Sequence, residues 1–207
     1  MPLRGNRRPG RPPGANVGET RQLIIEAARR VFSERGYDGT TFQEIAARAD
    51  LSRPAVNHYF SGKARLYREV LDVTNTSVIG AGIKQAEHET MLVARMTAFV
   101  SGVVRANSAG PGLLITSILE SQRHPEWNRT ENASVRISRE FLMRIVNDAI
   151  ERREIAADTD ASSLVEMLLV VLYGVGVYVG YVHSDQERLA VDMVRQLLEG
   201  MRWQSDR

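Results

Sequence analysis

The sequence predicts an all-α protein, and three observations carry that expectation. Every strong apolar segment repeats at the three-and-four spacing of a helix face. No run alternates apolar and polar residues between turn signals, as a half-buried strand would. Capping residues stand where the first periodic segments begin and end, among them Gly36, Thr41 and Ser52. No internal repeat is evident.

The length of 207 residues fits one large domain or two smaller ones sharing a core, long enough to bury that core without staples. The chain has no cysteine, which excludes disulfides, thiolate metal sites and Cys nucleophiles. Its first 17 residues are basic and rich in Pro and Gly, with no apolar signal region, so a cytoplasmic location is expected. Charge is unevenly spread. Residues 1–68 hold 13 Lys and Arg against 6 Asp and Glu, a balance of +7, whereas the rest holds 14 against 19, a balance of −5. A basic front with an acidic back points to a polyanionic partner for the front alone.

Residues 1–17 read as a disordered arm in which Arg4, Arg7, Arg8 and Arg11 alternate with Gly and Pro. From Glu19 a stripe of Ile24, Ala27, Ala28, Val31 and Phe32 predicts an amphipathic helix, ended by Gly36 as a left-handed cap. Thr41 opens a second, short helix, with Glu44 at capping-box spacing and Ile45, Ala46 and Ala49 on its buried side. Asp50 and Leu51 form a tight turn that needs a residue tolerant of positive φ. Ser52 caps a third helix running to about Tyr59, with Pro54 in its first turn. Further helices are expected over 63–85, around Leu92, Met96, Phe99 and Val103, and over 113–123, 127–153, 161–183 and 186–201. Gly110-Pro111-Gly112 is read as a break. On the last helix, Ala190, Val194, Leu197 and Met201 share one face.

Two short helices joined by a tight turn and packed on a longer first helix make a helix-turn-helix, the arrangement that lays a recognition helix in the DNA major groove. If Val56 and Phe60 point inward on the third helix, Arg53, Asn57 and His58 point outward. Arg can fork onto guanine O6 and N7, and Asn can pair with adenine N6 and N7. Ser52, Tyr59 and Lys63 stand at the helix ends, where phosphates would lie. Thr41 and Ala55 complete the expected DNA contacts of this segment. Taken singly, each residue has a plainer role: a cap for Ser52, packing for His58 and Tyr59, a solvated charge for Arg53. It is their joint placement on a basic segment that favours DNA. In the arm, Arg8 and Arg11 fall in Arg7-Arg8-Pro9-Gly10-Arg11-Pro12. That run fits a minor-groove hook and, equally, a flexible tail drawn to phosphate.

The run Ile25-x-Ala27-Ala28-x-x-x-Phe32-x-x-x-Gly36-Tyr37-x-x-Thr40-Thr41-x-x-x-Ile45-Ala46-x-x-Ala49-x-Leu51-Ser52, closed by Tyr59-Phe60-x-x-Lys63-x-x-Leu66, resembles the signature of the tetracycline-repressor (TetR) family. The resemblance covers about the first third of the chain; the remainder matches only in general plan. The family usually has Gly where this chain has Asp50, and Tyr, often a phosphate contact, where it has Asn57. The second departure makes base reading the expectation for Asn57. The resemblance implies a homodimeric repressor that leaves a palindromic double-stranded operator when a small ligand enters the larger domain.

Behind the reader, residues 167–182 are sixteen in a row without charge. That is short of the roughly 18–20 needed to span a bilayer, and no membrane partner is expected. A helix covered on one side by its own domain and on the other by a twin subunit fits better, with the last two helices as the homodimer interface. Gly174, Gly176 and Gly180 on it suggest close backbone approach or room for a ligand. Met96, Phe99, Glu120, Phe141, Arg144 and Met167 are the candidate contacts for a small, largely apolar ligand, though stripes of this kind are more often core. No two of His58, His88, His124 and His183 have metal-ligand helical spacing, and no phosphate loop or nucleophile elbow occurs. No enzyme activity, cofactor or metal is therefore expected. The expected organisation is an arm (1–17), a helix-turn-helix DNA-binding domain (18–65), and a helical ligand-binding and dimerisation domain (66–207). A ligand-responsive repressor is the favoured function. An architectural DNA-binding protein without a ligand is the alternative.

Overall fold

The computed structural model describes residues 17–106, 110–124, 132–182 and 187–200. The arm with Arg8 and Arg11, and Met201 at the chain end, lie outside these residues. Among the described residues the fold is all-α. In order the helices are α1 (Val17–Arg35), α2 (Phe42–Arg48), α3 (Arg53–Tyr59), α4 (Lys63–Thr74), α5 (Gly80–Ala86), α6 (Leu92–Ala106), α7 (Gly110–Arg123), α8 (Ala133–Glu151), α9 (Ala161–Val177) and α10 (Glu187–Gly200).

Two apolar clusters organise these helices. The first gathers Ile24, Ala28, Val31 and Phe32 of α1, Ile45 and Ala46 of α2, Val56 and Phe60 around α3, and Leu66, Tyr67 and Val70 of α4. The division expected after residue 65 therefore falls inside α4, whose inner face packs on the N-terminal head. Leu113 of α7 is fully buried in the same cluster, so the larger body inserts one side chain into the head. The second cluster holds the inner faces of α6, α8, α9 and α10.

The stretch expected as one helix over 63–85 carries a π-helical turn at Asn75–Ile79, between α4 and α5. The wider turn accompanies a buried polar contact, in which the Ser134 hydroxyl donates to Asn75 Oδ1 at 2.8 Å. Helices α5 and α6 then cross glycine on glycine. A Cβ added at Gly102 would lie 2.7 Å from the Gly82 Cα. Gly110-Pro111-Gly112 is not a break but the first turn of α7, where Pro lacks only an amide that has no helical partner. Helix α8 starts at Ala133, on an Asn132 cap that accepts from the Ser134 amide at 2.9 Å.

The glycines of α9 divide between the two roles expected of them, close approach and open space. A Cβ at Gly176 would lie 2.8 Å from Ile115 Cδ1, and one at Gly180, in the π turn Tyr178–Val182 after α9, would lie 2.7 Å from Gly112 Cα. Both therefore let α7 of the same chain approach. Only Gly174 opens to empty space. On α10, Ala190 and Val194 face inward as expected, but Leu198 completes that face and Leu197 is exposed. The continuous helix Ala161–Val182 is long and apolar enough to cross a membrane by length and composition. Yet Asp160 caps it, and its Glu166 receives two hydrogen bonds from Arg139 of α8, at 2.9 and 3.3 Å. Only 28% of its most apolar stretch is buried within the single chain.

Candidate DNA-binding surface and internal cavity

Local chemistry fixes the reader. The Thr41 hydroxyl accepts the Glu44 amide at 3.2 Å, while the Thr41 amide donates to Glu44 Oε2 at 3.1 Å, completing the capping box of α2. The Thr41 hydroxyl also donates to that carboxylate, which holds the Glu44 carboxyl below the usual range. Arg35 pairs with the same group at 2.7 Å. Asp50 adopts φ 54°, the left-handed turn conformation that an Asp tolerates. Ser52 caps α3 by accepting the Ala55 amide at 3.3 Å. Val56 and Phe60 are buried and pin the inner side of α3.

The opposite side of α3 is open. Arg53, Asn57 and His58 are exposed, Ala55 and Tyr59 half-buried, and the Tyr59 ring meets His58 edge-on at 5.5 Å. No carboxylate among the described residues pairs with Arg53. The Ser52 hydroxyl uses its oxygen in the cap and keeps its proton to donate. Two expected contacts are placed otherwise. Both donors of Thr41 are held by Glu44, so Thr41 has none left for a phosphate. Lys63 turns away from the surface. Its ammonium donates to the carbonyls of Tyr37 (2.8 Å), Thr40 (3.1 Å) and Asp38 (3.3 Å) and lies 4.3 Å above the Tyr37 ring. An ammonium has three protons, and these are all engaged. A cation in the first turn of α4 opposes that helix's dipole, and the carbonyls compensate. Lys63→Met is therefore expected to lower stability by about 1–2 kcal/mol in urea unfolding. The salt dependence of DNA binding should not change. A slope flattened by about one unit would mean that Lys63 meets a phosphate after all.

The body holds a small, half-open apolar cavity of about 60 Å³. Phe99, Val103, Leu114, Ile118, Leu172 and Tyr173 contribute to its wall, with Ser134 and Ser138 as polar groups. That volume holds about two waters, far less than a cofactor-sized pocket of roughly 300–1,000 Å³. Tyr173 borders the cavity, and among the described residues its hydroxyl is buried without a hydrogen-bond partner, in the field of Arg139 and Glu166. Of the six expected ligand contacts only Phe99 lines this cavity. Met96 and Phe141 are packed into the core, with Phe141 stacked on Phe99 at 4.6 Å. Arg144 faces solvent, its guanidinium 5.8 Å from the Phe141 ring centre, and Met167 is 37% exposed on the outside of α9. Glu120 is buried elsewhere, where the head meets the body. Its Oε1 accepts the Tyr37 amide at 3.2 Å, directly after the Gly36 turn (φ 68°). The cavity walls were hidden from sequence reasoning because Ile118 and Leu172 belong to stripes that look like any core face.

A small head with an outward third helix, carried on a helical body, is a helix-turn-helix arrangement of the kind that reads DNA. A family model described as "Bacterial regulatory proteins, tetR family" matches residues 24–70. The transcriptional activator FasR of Mycolicibacterium smegmatis is 38% identical over 89 residues, 43% of this chain and 39% of the relative. The regulator AcrR of Shigella flexneri is 35% identical over 60 residues, 29% and 28% of the two chains. The chain thus spans less than half the length of these curated relatives. The regulator UidR of Escherichia coli aligns further, over 75% of this chain and 79% of its own, at 24% identity. The solved structure of Salmonella enterica GusR superposes with a TM-score of 0.70 at 23% identity, covering 90% of this chain and 97% of that one. The fatty acid degradation regulator FadR from Bacillus halodurans does so at 0.73 and 20%, covering 91% and 99%. Residues 24–70 therefore resemble the DNA-binding segment of the TetR regulators, and the rest of the chain shares their helical fold.

Proposed function

We propose that this chain is a cytoplasmic, dimeric repressor that binds a palindromic operator and releases it when a small apolar molecule enters the body. The outward face of α3 carries the reading. Arg53 and Asn57 are the base readers, with His58 and the Ala55 methyl beside them. Ser52 and Tyr59 hold phosphates at the helix ends. The arm residues Arg8 and Arg11 add minor-groove or phosphate contact. One short helix reads few base pairs, so two copies are needed, spaced about 34–36 Å to meet successive major grooves. Helices α9 and α10 supply the twin interface.

The arrangement of α7 supports ligand control. One face of α7 sends Leu113 into the head and Glu120 to the Tyr37 amide, while Leu114, Ile115 and Ile118 line the cavity. Its start touches the end of the α9 helix at Gly112 and Gly180. A ligand larger than this narrow cavity would push Ile118 and Leu114 outward, and α7 would carry that shift to the head.

The decisive experiment selects the operator from random duplexes and compares wild type with Asn57→Ala. The variant is expected to lose about 1–3 kcal/mol on the operator and to relax the preference at one base pair. Equal weakening on every sequence would remove Asn57 as a base reader. Uniform footprinting in place of a bounded operator would favour an architectural protein. A reporter that rises when the protein is added would reverse the sign of regulation.

A further inference from the structure

At the joint between head and body, three side chains converge that the DNA-reading role does not use. His124 Nε2 lies 3.4 Å from Asp38 Oδ1 and 3.8 Å from Glu120 Oε2. One ligand atom from each of the three fits within a 4.8 Å span. Glu120 stands in the last turn of α7 and His124 directly follows that helix, its amide donating to the Glu120 carbonyl at 2.9 Å, which keeps the two side chains together. Asp38 comes from the loop between α1 and α2. The Glu120 side chain is only 4% exposed. Its Oε1 takes the Tyr37 amide, but its Oε2 is buried, has no hydrogen-bond partner among the described residues, and lies toward the cluster. A buried carboxylate oxygen left this way is costly unless a cation or proton meets it.

We propose that Asp38, Glu120 and His124 form a binding site for a divalent transition-metal cation of the Zn²⁺ class. A tetrahedral ion with bonds of about 2.0–2.2 Å sets its ligand atoms roughly 3.3–3.6 Å apart. The two distances from His124 are already close to that, and the exposed Asp38 loop has freedom to close the third. One imidazole and two carboxylates suit Zn²⁺, Co²⁺ or Ni²⁺, whose nitrogen and oxygen sites need no thiolate. The Tyr37 amide on Oε1 orients the Glu120 carboxylate from the outer shell, and the Tyr37 ring meets the imidazole edge-on at 5.4 Å. The Asp38 side chain is 69% exposed, which leaves an entry path and a fourth position for water. The nearby cations face other atoms. Arg123 approaches Glu120 Oε1 at 3.8 Å, and Lys63 meets the Asp38 carbonyl, not its carboxylate. A bound ion would tie the loop after α1 to α7 and so stiffen the joint between head and body.

The test needs no DNA and stands apart from the operator reading. Untagged full-length chain is stripped with chelator and dialysed against Zn²⁺, and metal content and thermal midpoint are measured. Wild type is expected to retain one Zn²⁺ per chain and to melt higher with it. Co²⁺ should give a visible absorption band that Zn²⁺ displaces. Asp38→Asn, on an exposed loop where folding is not at risk, and His124→Ala should lose the ion, the shift and the band, while surface His88→Ala keeps them. Wild type holding no more Zn²⁺ than His124→Ala overturns the site. So does an Asp38→Asn chain that binds as wild type does.

Discussion

Replacing Val170 with Glu is expected to give a folded monomer that no longer binds operator. Val170 is 70% exposed on α9, beside Met167, Val177 and the open Gly174. Leu189, Met193 and Leu197 of α10, each roughly half-exposed, extend the same kind of surface. A soluble monomer rarely leaves so much contiguous apolar surface open. In a two-fold interface one substitution appears twice, so two carboxylates would enter the apolar contact together. An unpaired charge buried this way costs about 3–5 kcal/mol. The monomer itself should suffer little, because the position faces outward. Light scattering should report half the wild-type mass, and a mobility shift on the operator should fail at the same protein concentration. A Val170→Glu chain that stays dimeric and shifts DNA normally would place the twin interface elsewhere. Gly176→Glu is a contrasting control: its side chain meets Ile115 of its own α7 and should unfold the body rather than separate the subunits.

The head was legible in the sequence because its determinants are local. Thr41 and Glu44 are three residues apart, Asp50 holds its turn by its own backbone preference, and Ser52 caps the helix it precedes. Helical periodicity then assigns Val56 and Phe60 inward and leaves Arg53, Asn57 and His58 outward. What escaped depends on contacts distant in the chain. Lys63 looks like a surface cation until the fold brings the Tyr37–Thr40 carbonyls to it. Gly176 and Gly180 look like a twin-facing stripe until α7 is found against them. Leu197 and Leu198 are equally apolar neighbours, and only the direction of approach of α10 decides which is covered. Glu120 and His124 show helical spacing in the sequence, but Asp38 lies more than eighty residues away. The body's core and its cavity share one composition, so a stripe cannot say which side chains border empty space.

That last ambiguity makes Phe141→Ala informative, because core and cavity-wall roles predict different outcomes. Phe141 is 2% exposed and stacks on Phe99 with ring planes 18° apart. Phe99 borders the cavity, while Phe141 lies behind it, among Leu142, Ile145 and the α6 residue Met96 in the body cluster. Truncating a buried Phe removes its transfer energy and leaves a void the neighbours only partly fill, about 3–5 kcal/mol in all. For a chain of this size that lowers the thermal midpoint by roughly 6–20 °C. The void would open beside Phe99 and be apolar, so a small aromatic such as benzene should occupy it and restore part of the lost stability. Calorimetry with and without benzene measures both effects. A midpoint that hardly moves, with ligand-induced operator release abolished, would show instead that Phe141 forms the wall of the working pocket and that the resting cavity opens toward it.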